Sequence, residues 1–94
     1  MRYKLRFHEQ ALREWQQLNG SIREPLKKKL AERLESPRVS AAALHCMADC
    51  YKIKLHSVGY RLSYRVDDAA VFVTVIATGK REKSKAYRTA MKRL

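Results

Sequence analysis

Acidic residues are the scarce charge in this chain. Nine Asp and Glu stand against 21 Lys and Arg in 94 residues, a formal net charge of +12. A compact domain with that excess is expected to meet a polyanion: nucleic acid, or less often an anionic membrane surface. Two shortages argue against the membrane. No stretch approaches the roughly 18 consecutive apolar residues of a spanning helix. The Lys-rich helical segment has only a narrow apolar stripe, where a helix lying on a membrane needs a broad Trp, Phe and Leu face. Cysteine is nearly absent as well. Cys46 and Cys50 are too few for a disulfide framework and fit a reducing compartment. The opening "MRYKLRF" alternates where an export signal would run apolar, so a cytoplasmic location is expected. His45 beside Cys46 falls short of the four N/S ligands of a zinc site, and His8, His45 and His56 are scattered. No metal and no cofactor is expected. There is no P-loop either.

What remains reads as one domain, residues 1–94. Residues 2–7 alternate as a half-buried strand, with Tyr3, Leu5 and Phe7 on one side and Arg2, Lys4 and Arg6 on the other. "HEQALREWQQL" switches to helical spacing through Ala11, Leu12, Trp15 and Leu18. Asn19-Gly20 is placed to end that helix, with Gly20 as a left-handed cap. In "SIREPLKKKLAERLESP", Ser21 and Glu24 have capping-box spacing, although Pro25 shifts the first turn. Ile22, Leu26, Leu30, Ala31 and Leu34 form the expected buried stripe, and Pro37 ends the helix. The short link predicts an antiparallel helical hairpin. Lys27, Lys28 and Lys29 read as its solvated face. Residues 38–49 are irregular, with a helical turn at "SAAAL".

Three strands follow, near 50–56, 60–67 and 70–78. Alternation puts Lys52, Lys54 and His56 on one face of the first, opposite Tyr51, Ile53 and Leu55. Arg61, Ser63 and Arg65 share a face of the second. A two-residue turn at Val58-Gly59 pairs Lys54 with Ser63 and His56 with Arg61, so the cations of both strands line one face. The third strand is apolar on both sides and must be covered twice. A turn near Asp67-Asp68 puts Val71, Val73 and Val75 on the apolar face, and Phe72, Thr74, Ile76 and Thr78 on the cationic one. The helical hairpin covers the first face. A final helix, "SKAYRTAMKRL" with Ser84 as N-cap, covers the second. The fold class is therefore α+β: an antiparallel-dominated sheet of about four strands, with a helical hairpin on one face and a C-terminal helix on the other.

That leaves a cleft between the cationic strand positions and the last helix, edged by Gly79, Lys80 and Arg81 and entered by Tyr87. Arg forks, Lys point charges and an aromatic platform suit a phosphodiester. Arg65, Lys80, Lys83 and Arg88 extend the basic surface for RNA binding. Like charges held together disfavour the charged form, which is how a lysine becomes available as a base. With neither a carboxylate pair nor a metal cluster, a nuclease built here has to use the 2′-OH of RNA as its nucleophile. The bland reading is a set of ordinary solvated charges on an outer sheet face. On the residues alone, nucleic-acid binding is the expectation and catalysis an option.

"LKKKLAERLESPR", "DCYKIKL", "GYRLSYRV" and "GKREKSKAY" together resemble the RelE family of toxins from bacterial toxin–antitoxin systems, over nearly the whole chain. The resemblance implies a small ribonuclease-like fold and a messenger RNA interferase that enters the ribosomal A site. There the 2′-OH attacks the adjacent phosphate without a metal. It implies that Lys54 is the general base, with Lys52 beside it. Arg61 would stabilise phosphate charge, Arg81 would act at the leaving 5′ oxygen, and Tyr87 would orient or stack the nucleotide. The partners implied are a RelB-like antitoxin, the 70S ribosome with its rRNA and message, and operator DNA only through the antitoxin complex. Two departures stand out: His45-Cys46 where relatives carry a basic residue followed by Gly, and His56 where Arg is common. The competing expectations are a ParE-like gyrase poison of the same fold and a non-catalytic basic RNA-binding module.

Overall fold

The molecule is described here as a computed structural model, for residues 2–44, 47–55 and 59–80. The proposed C-terminal helix, with Arg81, Lys83, Tyr87 and Arg88, lies outside the described residues, as do His45, Cys46 and His56.

Four strands form one mixed sheet. They are β1 (Lys4–Phe7), β2 (Cys50–Leu55), β3 (Tyr60–Asp67) and β4 (Phe72–Lys80), in the order β1-β4-β3-β2. β1 runs parallel to β4, and the other neighbours are antiparallel. Two helices connect β1 to β2: α1 (Glu9–Gln16) and α2 (Gly20–Glu35), followed by a 3₁₀ turn at Ser40–Ala42. Ala11, Leu26, Leu30 and Leu34 from the helices pack with Tyr51, Ile53, Leu55, Leu62, Tyr64, Val66, Val73 and Val75 from the sheet in one core. The helical pair therefore covers the face that alternation assigned to it.

Local signals were partly misassigned. Asn19 does not end α1 through a left-handed glycine. It caps α2 instead, its side chain accepting a hydrogen bond from the Ser21 N–H at 3.0 Å. That replaces the Ser21–Glu24 box and leaves Pro25 inside the helix, where it cannot donate to the Ser21 carbonyl. His8 caps α1, Nδ1 accepting from the Gln10 N–H at 3.2 Å. Ala31 is exposed rather than part of the buried stripe. Leu5, expected inward, is 40 % exposed because β1 is an edge strand whose inner side is only partly roofed. Cys50 opens β2, as the strand near 50–56 predicts, and is buried.

The sheet register also differs. Leu55 pairs with Tyr60, so the β2–β3 connection is residues 56–59, and Gly59 takes φ +68°. Lys54 therefore faces Arg61, and Lys52 faces Ser63, a shift of two residues from the expected pairing. A two-residue shift conserves parity, so the cations still share a face. On β4, Val73 and Val75 pair with Val66 and Tyr64 as apolar partners. A bulge then places Ile76 between two paired positions, with Tyr64 facing Val75 and Ser63 facing Ala77. Parity reverses beyond it. Thr78 joins Leu62 on the apolar side, while Ala77 and Gly79 take the cationic side. Val71 lies before the strand rather than on its apolar face.

The second face is covered in part by the chain between α2 and β2. Leu44, Met47, Cys50 and Ile76 form a small separate core. Phe72 lies under the Arg6 guanidinium, 4.2 Å from the ring centroid, a contact that combines stacking with cation–π attraction. Arg38 anchors this cover. It donates to Asp49 at 2.9 Å, to Asp68 at 2.6 Å and to the Tyr51 hydroxyl at 3.3 Å.

A candidate RNA-cleaving face on the sheet

The site begins with alternation on two antiparallel strands. Lys52 and Lys54 stand two residues apart on β2, so both side chains leave the same side, roughly 6.8 Å apart along the strand. Across from them Ser63 and Arg61 leave the same side of β3. Directly opposed residues have Cβ atoms about 4.5–5.5 Å apart. Lys54 and Arg61 therefore form a close cationic pair, with Lys52 one step along. Arg61 is only 9 % exposed, whereas Arg65 is exposed. A mostly buried guanidinium is a fixed fork rather than a waving charge.

The bulge at Ile76 shapes the next strand. It puts Gly79 opposite Arg61 and Ala77 opposite Ser63. Nothing described lies within 4 Å of where a Cβ on Gly79 would stand. Among the described residues, no side chain fills the space over Gly79, opposite Arg61. Without the bulge the larger Thr78 would project there; instead its backbone N–H donates to Glu14 Oε1 at 3.2 Å, tying this end of β4 to α1. Bulges commonly re-aim a strand beside functional surfaces in this way. β4 ends at Lys80, paired with Tyr60 beside Arg61 and one residue before Arg81.

Of the sequence-predicted site residues, the structure brings Lys52, Lys54, Arg61 and Arg65 onto one face. It leads the backbone at Lys80 to their edge. Arg81, Lys83, Tyr87 and Arg88 lie outside the described residues.

Two features were missed from the sequence. Lys4 and Arg6 also belong to this face, because Lys4 pairs with Phe72 and Arg6 with Thr74, and Thr74 in turn faces Arg65. Arg6 Nε donates to Thr74 Oγ1 at 3.3 Å. The parallel pairing of β1 with β4 was the missing link; alternation alone had already grouped Lys4 with Arg6. The second is Arg33 of α2, whose Nη1 donates to the Lys52 carbonyl at 3.1 Å and to the Tyr64 hydroxyl at 2.9 Å. Arg33 thereby fixes the backbone that carries Lys52. No periodicity signal marks it, since its acceptors are 19 and 31 residues away.

The chain and its fold are similar to known toxins. A family model described as the ParE toxin of type II toxin–antitoxin system, parDE, matches residues 5–84. The mRNA interferase toxin RelE of Escherichia coli K12 is 57 % identical over 94 residues, covering all of this chain and 99 % of that protein. A double arginine-to-alanine variant of the E. coli toxin RelE, solved free, superposes with a TM-score of 0.92 at 56 % identity, over 100 % of this chain and 99 % of that one. The toxin in the intact E. coli RelBE toxin–antitoxin complex gives 0.83 at 58 % identity, over 86 % of this chain and 99 % of that one.

Proposed function

This chain belongs to the ParE/RelE family of type II toxin–antitoxin toxins, and we propose on that premise that it is a ribosome-dependent endoribonuclease that cuts messenger RNA in the A site. The observation that carries the reading is the opposition of Lys54 and Arg61, with Lys52 beside them and, among the described residues, open space over Gly79.

The chemistry follows from what those groups can do. Lys54, as the neutral amine, takes the proton of the 2′-OH. The 2′ oxygen forms its bond to the neighbouring phosphorus as the bond from phosphorus to the 5′ oxygen breaks. The products are a 2′,3′-cyclic phosphate and a 5′-OH. Arg61 and Lys52 neutralise the charge that builds on the phosphoryl oxygens, and such fixed donors are commonly worth about 2.7–4 kcal/mol each. Arg81 stabilises the charge on the departing 5′ oxygen, which takes its proton from solvent water to become the 5′-OH, and Tyr87 orients the nucleotide. Arg65, Lys80, Lys83 and Arg88 bind flanking RNA. Holding the message in line accounts for much of the remaining rate, roughly 7–11 kcal/mol where alignment is good. Work on ribosomes implies a cytoplasmic location. A relative solved with its antitoxin supports a RelB-like antitoxin as the protein partner here, with operator DNA contacted only through that complex.

A second reading comes from the family model, whose description is the ParE toxin. A gyrase poison has no need of a cation pair arranged around a scissile phosphate, and the relative at 57 % identity is named for message cleavage. The test is to incubate the protein with programmed ribosomes and map message ends. New ends in the A-site codon support the proposal. Intact message with the protein bound, together with inhibited supercoiling in a gyrase assay, refutes it.

A further inference from the structure

The cations Lys52 and Lys54 serve two surfaces. One is the sheet face just described. The other is a groove of about 350 Å³ at the outer edge of β2, lined by Lys29, Arg33, Val39, Ala41, Ala42, Lys52 and Lys54. Two elements build it. Lys29 and Arg33 are four residues apart on α2 and so share a helix face. Lys52 and Lys54 share a strand face. The turn at Ser40–Ala42 closes the far side with small and apolar groups.

Among the described residues the lining has one sign of charge: four are cationic and none is acidic. Arg33 is held in place by its bonds to the Lys52 carbonyl and the Tyr64 hydroxyl, so little side-chain freedom is lost when an anion binds beside it. A groove walled by small residues and ringed by cations, one of them immobilised, suits a phosphate group better than a carboxylate-bearing peptide: three of the cations are long, adjustable lysines and the fourth is a fork.

We propose that this groove binds a phosphodiester of the message next to the scissile one. The inference rests on the nuclease reading, which places the scissile phosphate between Lys54 and Arg61. Lys52 and Lys54 are then the ridge over which the strand passes, one phosphate on the sheet face and a neighbour in the groove. Lys29 is the residue whose only part is in the groove. It makes the site a positioning element that grips backbone and reads no base.

The experiment is a methylphosphonate scan on programmed ribosomes, in which single neutral linkages replace phosphates on either side of the cleavage position. Binding and cutting are both measured, for the wild-type chain, Lys29→Glu and Lys28→Glu. Lys29 and Lys28 are both exposed, so neither change removes a core contact, and Lys28 does not line the groove. For the wild type, one flanking linkage is expected to weaken binding about tenfold when neutralised. Lys29→Glu is expected to show that loss on unmodified message, to be indifferent to the same linkage, and to lower the salt slope of binding by about one. Its kcat should be retained.

Losses that simply add for Lys29→Glu and every linkage overturn the proposal, as does an equal loss from Lys28→Glu. An equal loss on ribosomes without message also overturns it and reassigns the groove to ribosomal RNA. A wild-type chain that binds without cutting refutes the nuclease reading, while the binding scan still decides the groove.

Discussion

Tyr64→Phe removes one oxygen from the centre of the molecule and tests how the functional face is held. Tyr64 is fully buried, and its hydroxyl makes two bonds. It donates to the Pro37 carbonyl at 2.6 Å and accepts from Arg33 at 2.9 Å. The ring stacks on Tyr51, with centroids 5.7 Å apart, and that packing survives in the variant. The loss is therefore polar. The Pro37 carbonyl keeps the Val39 N–H at 3.1 Å, so losing the tyrosine donor costs about 0.5–1.5 kcal/mol, the net value of one neutral hydrogen bond. Arg33 keeps the Lys52 carbonyl, which limits the second loss to a fraction of a charged hydrogen bond. A total of about 1–2 kcal/mol follows, and for a domain of this size each 1 kcal/mol moves Tm by roughly 4–8 °C. The variant should melt at least about 4 °C lower, by circular dichroism at pH 7. Alkaline titration gives an independent check. Burial raises the Tyr64 hydroxyl above the ordinary tyrosine value, with Arg33 opposing. A group whose folded pKa is raised contributes stability that is full below the unfolded value, about 10, and is lost as pH rises through the folded value. Wild-type stability should therefore fall more steeply above about pH 10 than that of Tyr64→Phe. A variant within about 0.5 kcal/mol of wild type, with the same alkaline slope, would refute the argument.

Further outcomes follow from the same structure. Lys54→Ala should reduce message cleavage on ribosomes by about 10²–10⁴-fold, the usual value of a positioned base, and Arg61→Ala by about 10²–10³-fold; Lys28→Ala should leave the rate unchanged, and equal losses in all three would mean the site is misplaced. Val71, a β-branched residue at φ 58°, carries strain of about 1–2 kcal/mol. Val71→Gly should relieve it at an entropic cost of about 0.5–1 kcal/mol, raising the urea midpoint or leaving it level; a clear drop would show that its side-chain packing matters more. Asp68 sits below the ordinary carboxylate range because Tyr3 and then Arg38 hydrogen-bond to it. A depressed carboxylate contributes stability above its unfolded value, about 3.9, and loses it as pH falls through the folded value. Asp68→Asn should therefore be less stable than wild type at pH 7, with the gap closing in acid; a constant gap from pH 7 to pH 2 would count against the ion-pair account.

Parity was the most legible feature. Alternation in "YKIKL" and "YRLSYR" assigned every side chain of β2 and β3 to its observed face, although the pairing was out by two residues. Burial on one side selects parity strongly, whereas register depends on the loop, and a two-residue error leaves the hydrophobic set undisturbed. The bulge at Ile76 was not legible, because "VFVTVIAT" is apolar on both faces and offers no contrast in which a flip would show. Nor was the Arg38 clamp, whose partners Asp49, Tyr51 and Asp68 are brought together only by the folded sheet. Caps were misread where two polar residues competed: Asn19 took the position that Ser21 was expected to hold. The Lys29–Arg33 groove was invisible for a further reason. It needs α2 and β2 side by side, and helical spacing alone marks those residues as solvent-facing.

The scarcity of acid becomes intelligible in this arrangement. The carboxylates are used for scaffolding: Glu35 meets Arg2, Glu9 meets Arg13, and Asp49 and Asp68 hold Arg38. These pairs fix helix ends and the segment that crosses the second face, and as exposed pairs each contributes modestly. Among the described residues, cations crowd β2, β3 and α2. A domain this small has a thin core, and mutual repulsion among those cations works against it. Any polyanion that covers the face therefore stabilises the fold as it binds, by an amount that grows with its concentration relative to Kd. Message, ribosomal RNA and an acidic antitoxin segment draw on the same electrostatic term. Competition among polyanions for one surface is thus a property of the charge layout itself.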